Sequence, residues 1–115
     1  MLILDVNGLK GLKSELAHLD EVGDKLGFIR WQWDYYRATY DLKYEDSKTN
    51  EAYFLRVDTR VETGKLENPE AILVIGDAYM GRATFPHGLD YESAVPDSIL
   101  KAAKQKLSDL KAALV

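Results

Sequence analysis

The chain contains no cysteine, which excludes disulfides, thiolate metal ligation and thiol nucleophiles together and fits a reducing compartment. Histidine is scarce as well: His18 and His87 stand far apart in sequence, and neither has a neighbour marking a metal-ligand pair or a catalytic dyad. Both are read as surface or structural side chains. No apolar run approaches the ~20 residues that a membrane-spanning helix requires, and Asp5 interrupts Met1-Leu2-Ile3-Leu4 before a signal-peptide core can form. The expectation is a cytoplasmic protein with no membrane partner. Basic charge is also in deficit, with a net charge of −4, which argues against a nucleic-acid partner. The one local exception is the stretch 97–115, where Lys101, Lys104, Lys106 and Lys111 outweigh Asp97 and Asp109, as on a solvated helix face. Proline is limited to three residues, and no repeat or linker-like tract divides the chain, so 1–115 reads as a single domain.

The patterning that is present predicts an α+β fold, an antiparallel meander of about four to five strands flanked by an N-terminal and a C-terminal helix. Leu9, Leu12, Leu16 and Leu19 recur at helical spacing between charged residues, with Asn7 as a possible cap and Gly23 or Gly27 as a stop. From Phe28 the period changes to two, through Ile29, Trp31 and Trp33, then Ala38 to Tyr44, then Tyr53 to Val61. The segment Glu45 to Asn50 has turn composition, and Gly64 precedes a further break at Pro69. Ala71 to Ile75 is apolar throughout and reads as a strand covered on both faces, with a short further strand expected near Tyr79 to Phe85, followed by a loop. Asp97 is placed to cap a last helix in which Leu100, Ala103, Leu107, Leu110 and Leu114 share one face.

Register follows from keeping apolar faces together. A four-residue loop, Tyr35 to Ala38, sets Trp33 beside Tyr40 and Trp31 beside Leu42 on the inner face. Pairing Tyr44 with Tyr53 sets Asp41 opposite Arg56, an attractive cross-strand pair.

Motifs of known chemistry fail in identifiable ways. Glu62-Thr63-Gly64-Lys65 lacks the earlier glycine of a phosphate loop, and Leu66 stands where its hydroxyl residue belongs. Glu45 to Glu51 lacks the rhythm and central glycine of a calcium loop. No residue is marked as catalytic, no metal site is indicated and no cofactor is implied. What stands out is an aromatic set, including Trp31, Trp33, Tyr35, Tyr36, Tyr40, Tyr44, Tyr53 and Phe54, interleaved with arginine and aspartate. Aromatic residues are enriched in strands, so much of this set belongs to a core, but the same residue types also line ligand pockets and interfaces.

The segments Trp33-Asp34-Tyr35, Tyr40-Asp41-Leu42-Lys43-Tyr44, Tyr53-Phe54-Leu55-Arg56-Val57 and Ile75-Gly76 resemble the YugN-like family of small bacterial proteins, over about Gly27 to Leu89. The resemblance implies a single α+β domain and carries over no catalytic residue.

Two functional classes are compatible with these residues. The first is a non-enzymatic binding or interaction domain that works through the aromatic and charged sheet surface or through the C-terminal helix, as a homodimer with Leu107, Leu110 and Leu114 at the interface. The alternative is a small-molecule binding protein or enzyme with a cleft between sheet and helices, where Trp33, Asp34, Tyr40 and Arg56 converge.

Overall fold

The computed structural model describes residues 1–84 and 88–115. In chain order its elements are β1 (Lys13–Glu15), α1 (Leu16–Leu26), β2 (Ile29–Gln32), β3 (Arg37–Asp46), β4 (Glu51–Thr63), β5 (Ile72–Thr84), β6 (Gly88–Asp90) and α2 (Asp97–Leu114). The strands form one antiparallel sheet in the order β1-β5-β4-β3-β2, with β6 also on β5. This is the α+β fold that the patterning predicts, with a helix before and a helix after a meander.

The long hairpin of β3 and β4 carries the predicted register, Tyr44 opposite Tyr53 and Asp41 opposite Arg56. Alternation then divides the side chains of β4. Tyr53, Leu55 and Val57 are buried in the core, together with Leu16, Leu19 and Val22 of α1 and Ile99, Ala103, Leu107 and Leu110 of α2. Phe54, Arg56 and Asp58 stand on the opposite face, which neither α1 nor α2 covers. The outer edge of β5 is shielded in pieces: β1 pairs with residues 72–74, Ile3 bridges to Tyr79, and β6 pairs with residues 82–84. Such short coverings blunt an edge that would otherwise pair with another chain.

The structure corrects several local expectations. Residues 7–11 form turns rather than the first turn of a helix, and α1 begins only at Leu16, after the three-residue strand β1. Leu9 is nevertheless buried and Leu12 packs on the core, so the apolar spacing marks burial without marking a helix. Gly27 ends α1 at φ 95°, a conformation that costs glycine little and other residues more. Pro96, not Asp97, precedes α2, and Asp97 lies inside its first turn, where its charge suits the helix dipole. The expected strands at 71–75 and 79–85 are one strand, β5, whose pairing with β4 shifts between Val57 and Thr59. The Phe85 end of that expectation, and His87, lie outside the described residues.

The largest correction concerns β2. Asp34 closes the turn after it: Oδ1 accepts the backbone N–H groups of Tyr36 at 2.7 Å and Arg37 at 2.9 Å, and Oδ2 accepts the Arg37 side chain at 3.1 and 3.0 Å. The Trp33 N–H then meets the Arg37 carbonyl at 3.0 Å, so the loop is Asp34 to Tyr36 and shorter than expected. Trp31 consequently lies opposite Thr39, and Arg30 opposite Tyr40. A slip by an odd number of residues moves every side chain to the other face. Trp31 and Trp33 therefore leave the core and stand on the uncovered face, 59% and 63% exposed.

Candidate ligand-binding cleft

The uncovered face is shaped by what folds onto it. Gly81 has no side chain, and a Cβ there would meet Leu89 Cβ at 2.9 Å and the Tyr91 ring at 3.0 Å. Its absence lets β6 and Tyr91 settle onto the sheet. Tyr91 then packs edge-to-face on Tyr79, with ring centres 5.3 Å apart.

Between this wall and Trp31 of β2 with Trp33 just after it lies a cleft of about 480 Å³, lined chiefly by Trp31, Trp33, Phe54, Ala83 and Leu89, with Asp41 and Arg56 as its charged residues. Asp41 is 5% exposed and accepts two hydrogen bonds from Arg56, Nε to Oδ1 at 2.9 Å and Nη2 to Oδ2 at 2.8 Å. Arg56 Nη1 donates to the Tyr91 hydroxyl at 3.0 Å, and its guanidinium carbon lies 5.8 Å from the centre of the Trp33 ring. The bidentate bond to Asp41 raises the proton affinity of Arg56 further, so it stays charged at any accessible pH. Beside it, Tyr79 donates to Asp58 at 2.8 Å; burial nonetheless pushes the Asp58 carboxyl upward from its ordinary range, with the Tyr79 bond opposing. The result is an apolar, aromatic trough with a neutralised ion pair fixed in its lining.

Of the candidate binding residues, Trp33 and Arg56 are brought together. Asp34 is not with them: it builds the turn, and its carboxyl is held below the usual range by the Tyr36 N–H first and the Arg37 side chain second. Tyr40 lies on the opposite face, buried in the core, with its hydroxyl donating to Asp20 at 2.7 Å. The cleft is therefore on the side of the sheet away from the helices, not between sheet and helices. Leu107 and Leu110 are 0% and 2% exposed, within the chain's own core, and Leu114 packs against it. Self-association through that stripe would require α2 to leave the sheet. Among the described residues no three His, Asp or Glu side chains converge as metal ligands, and no helix is long and apolar enough to cross a membrane.

Comparison with known proteins gives a consistent answer. The family model described as the YugN-like family matches residues 6–111. The chain belongs to the YugN-like family. It is 31% identical over 113 residues to the uncharacterized protein YlbA of Bacillus subtilis (strain 168), covering 96% of this chain and 92% of that one. It is similar also to the crystal structure of the uncharacterized conserved protein YugN from Geobacillus kaustophilus HTA426, with a TM-score of 0.84 and 32% identity, over 99% of this chain and 95% of that one. The fold is thus shared with a solved YugN-like structure along almost its whole length, and the predicted family and fold class both stand.

Sequence reasoning missed Leu89 and Tyr91 as parts of the site. Phe54 carried a signal, since it shares the parity of Arg56 on β4. Leu89 and Tyr91 carried none, because a packing event between distant segments places them, and only the glycine at 81 hints at it.

Proposed function

We propose that this chain is a non-enzymatic cytoplasmic binding domain whose uncovered sheet face receives a small ligand with a flat aromatic or apolar body. The observation that supports this reading is the placement of Trp31 and Trp33: two large aromatic side chains are held more than half exposed on the rim of a preformed trough. A sheet that only needed a core would turn them inward, and exposed apolar surface of this kind marks sites of interaction. The volume of about 480 Å³ suits a small molecule. Binding fits better than catalysis, because the carboxylates nearest the trough are committed, Asp41 to Arg56 and Asp58 to Tyr79.

The chain carries its own reporter, since Trp31 and Trp33 are the only tryptophans. Titration with neutral naphthylbutyramide is expected to change tryptophan emission saturably, and Phe54→Ala, which removes one wall, to weaken binding at least several-fold. A linear, non-saturating change that is identical in the variant would overturn the reading. Native mass spectrometry of gently purified protein would supply the natural ligand as a reproducible extra mass.

A further inference from the structure

The trough does not end at Trp33. A second cleft, of about 420 Å³, adjoins it on the same sheet face, and Trp33 lines both. The chemistry of the two differs. The second is lined by Lys10, Arg37 and Arg60 together with Thr39, Asp58 and Asp77.

Its charges do not balance pair by pair. Lys10 Nζ is 2.9 Å from Asp77, and Arg37 is held by Asp34 at 3.0 Å. Arg60 has no carboxylate partner among the described residues, and the strand register sets it directly opposite Arg37. Like charges directly opposite one another on neighbouring strands are destabilising. Asp58, the remaining carboxylate, accepts a hydrogen bond from Tyr79, which does not line this cleft. A second and independent observation lies in the wall. Thr39 is 5% exposed, and its hydroxyl meets no protein partner among the described residues. Thr39, with its buried hydroxyl unpartnered, and Arg60, without a carboxylate partner, line this one cleft, a poor arrangement for an empty surface and a suitable one for an anion.

Resting on the reading of the aromatic trough above, we infer that the ligand is a small amphipathic anion: its flat body lies between Trp31, Phe54 and Leu89, and its carboxylate passes Trp33 to sit beside Arg60 and Arg37. Arg60 is then a specificity residue, selecting charged over neutral ligands of one shape. Trp33 stands at the junction, packed on Arg56 on one side and bordering the anion's seat on the other.

The test compares naphthylbutyrate with its neutral amide, naphthylbutyramide, at neutral pH and low salt, by tryptophan emission and calorimetry. The carboxylate is expected to bind the wild-type protein about tenfold more tightly than the amide, the scale of one charge-assisted hydrogen bond. Arg60→Gln should abolish that preference by weakening the carboxylate alone, and Arg60→Lys should restore much of it. Arg60 is exposed, so the variants should fold, and unchanged circular dichroism would confirm that they do. Equal wild-type affinities, or an Arg60→Gln effect that falls on both compounds alike, would overturn the anion seat and leave the trough intact. Saturable binding of neither compound would overturn the trough and the anion seat together.

Discussion

Asp41 and Arg56, fifteen residues apart in the chain, form a bidentate pair at 2.9 and 2.8 Å on the face of the sheet away from α1 and α2, with side chains only 5% and 17% exposed. The alternation of β3 and β4 is enough to place them opposite one another, but it does not reveal their burial. An exposed cross-strand pair is worth a few tenths of a kcal/mol, whereas removing one partner of a buried pair strands a charge. Asp41→Asn is therefore expected to destabilise the protein by about 3 kcal/mol. Replacing both residues, as Asp41→Leu with Arg56→Met, should recover most of that loss. Urea denaturation of the three proteins is the measurement. A cost below about 1 kcal/mol for Asp41→Asn would show that the pair behaves as a solvated one.

Tyr40 ties the opposite face to α1 through its hydrogen bond to Asp20, which also meets Arg30 at 3.0 Å. Burial first, and that hydrogen bond second, push the Tyr40 hydroxyl well above its ordinary proton affinity. Below about pH 10 the hydroxyl is protonated in both folded and unfolded chains, and its contribution to stability is fully present. Above that, the unfolded chain releases the proton and the folded one holds it, so stability falls by up to about 1.4 kcal/mol per pH unit. Tyr40→Phe should cost about 1 kcal/mol at neutral pH, and the gap from wild type should narrow as pH rises past about 10. Chemical denaturation across alkaline pH reads this directly, and a gap that stays constant would refute it. Tyr79, raised by burial and then by Asp58, adds to the alkaline loss in both proteins.

Gly81 is where the wall of the trough touches the sheet. Gly81→Val places atoms where Leu89 and Tyr91 already lie, so the wall must lift. The expected cost is about 2 kcal/mol, together with a changed environment for Trp31 and Trp33. Thermal melting and tryptophan emission report the two effects separately. A variant with wild-type emission would show that the wall does not depend on this contact.

What was legible in the sequence was whatever period and charge could fix locally. The β3 and β4 hairpin carries a long alternation and one register that pairs opposite charges, and it came out as read. The β2 strand depended on a turn, and the turn depended on Asp34 accepting two backbone N–H groups, a detail that alternation does not carry. That one detail moved Trp31 and Trp33 from core to surface and so decided where the candidate site lies. Trp33 and Arg56, expected to converge between sheet and helices, meet instead on the face away from the helices. Tyr40 shares the aromatic character of the tryptophans yet not their face. The strand β1 has only Lys13, Ser14 and Glu15, with no apolar pattern to announce it, and exists because β5 offers an edge.

The leucine stripe of α2 allows a sharp test of how the helix is used. Leu107 is fully buried against the sheet, so Leu107→Ala removes a packed side chain and leaves a cavity, at an expected cost of about 3 kcal/mol. Leu114, near the helix end and only partly buried, should cost distinctly less on the same substitution. If the stripe belongs to the fold of one chain, the denaturation midpoint of Leu107→Ala falls by the same amount at every protein concentration, and the mass in solution does not change. If the stripe instead joins two chains, the wild-type midpoint rises with concentration and Leu107→Ala removes that dependence. Denaturation at two concentrations a hundredfold apart, with light scattering on the same samples, separates the cases. The burial of Leu107 and Leu110 against Leu55, Val57 and Ile75 in a single core argues for the first.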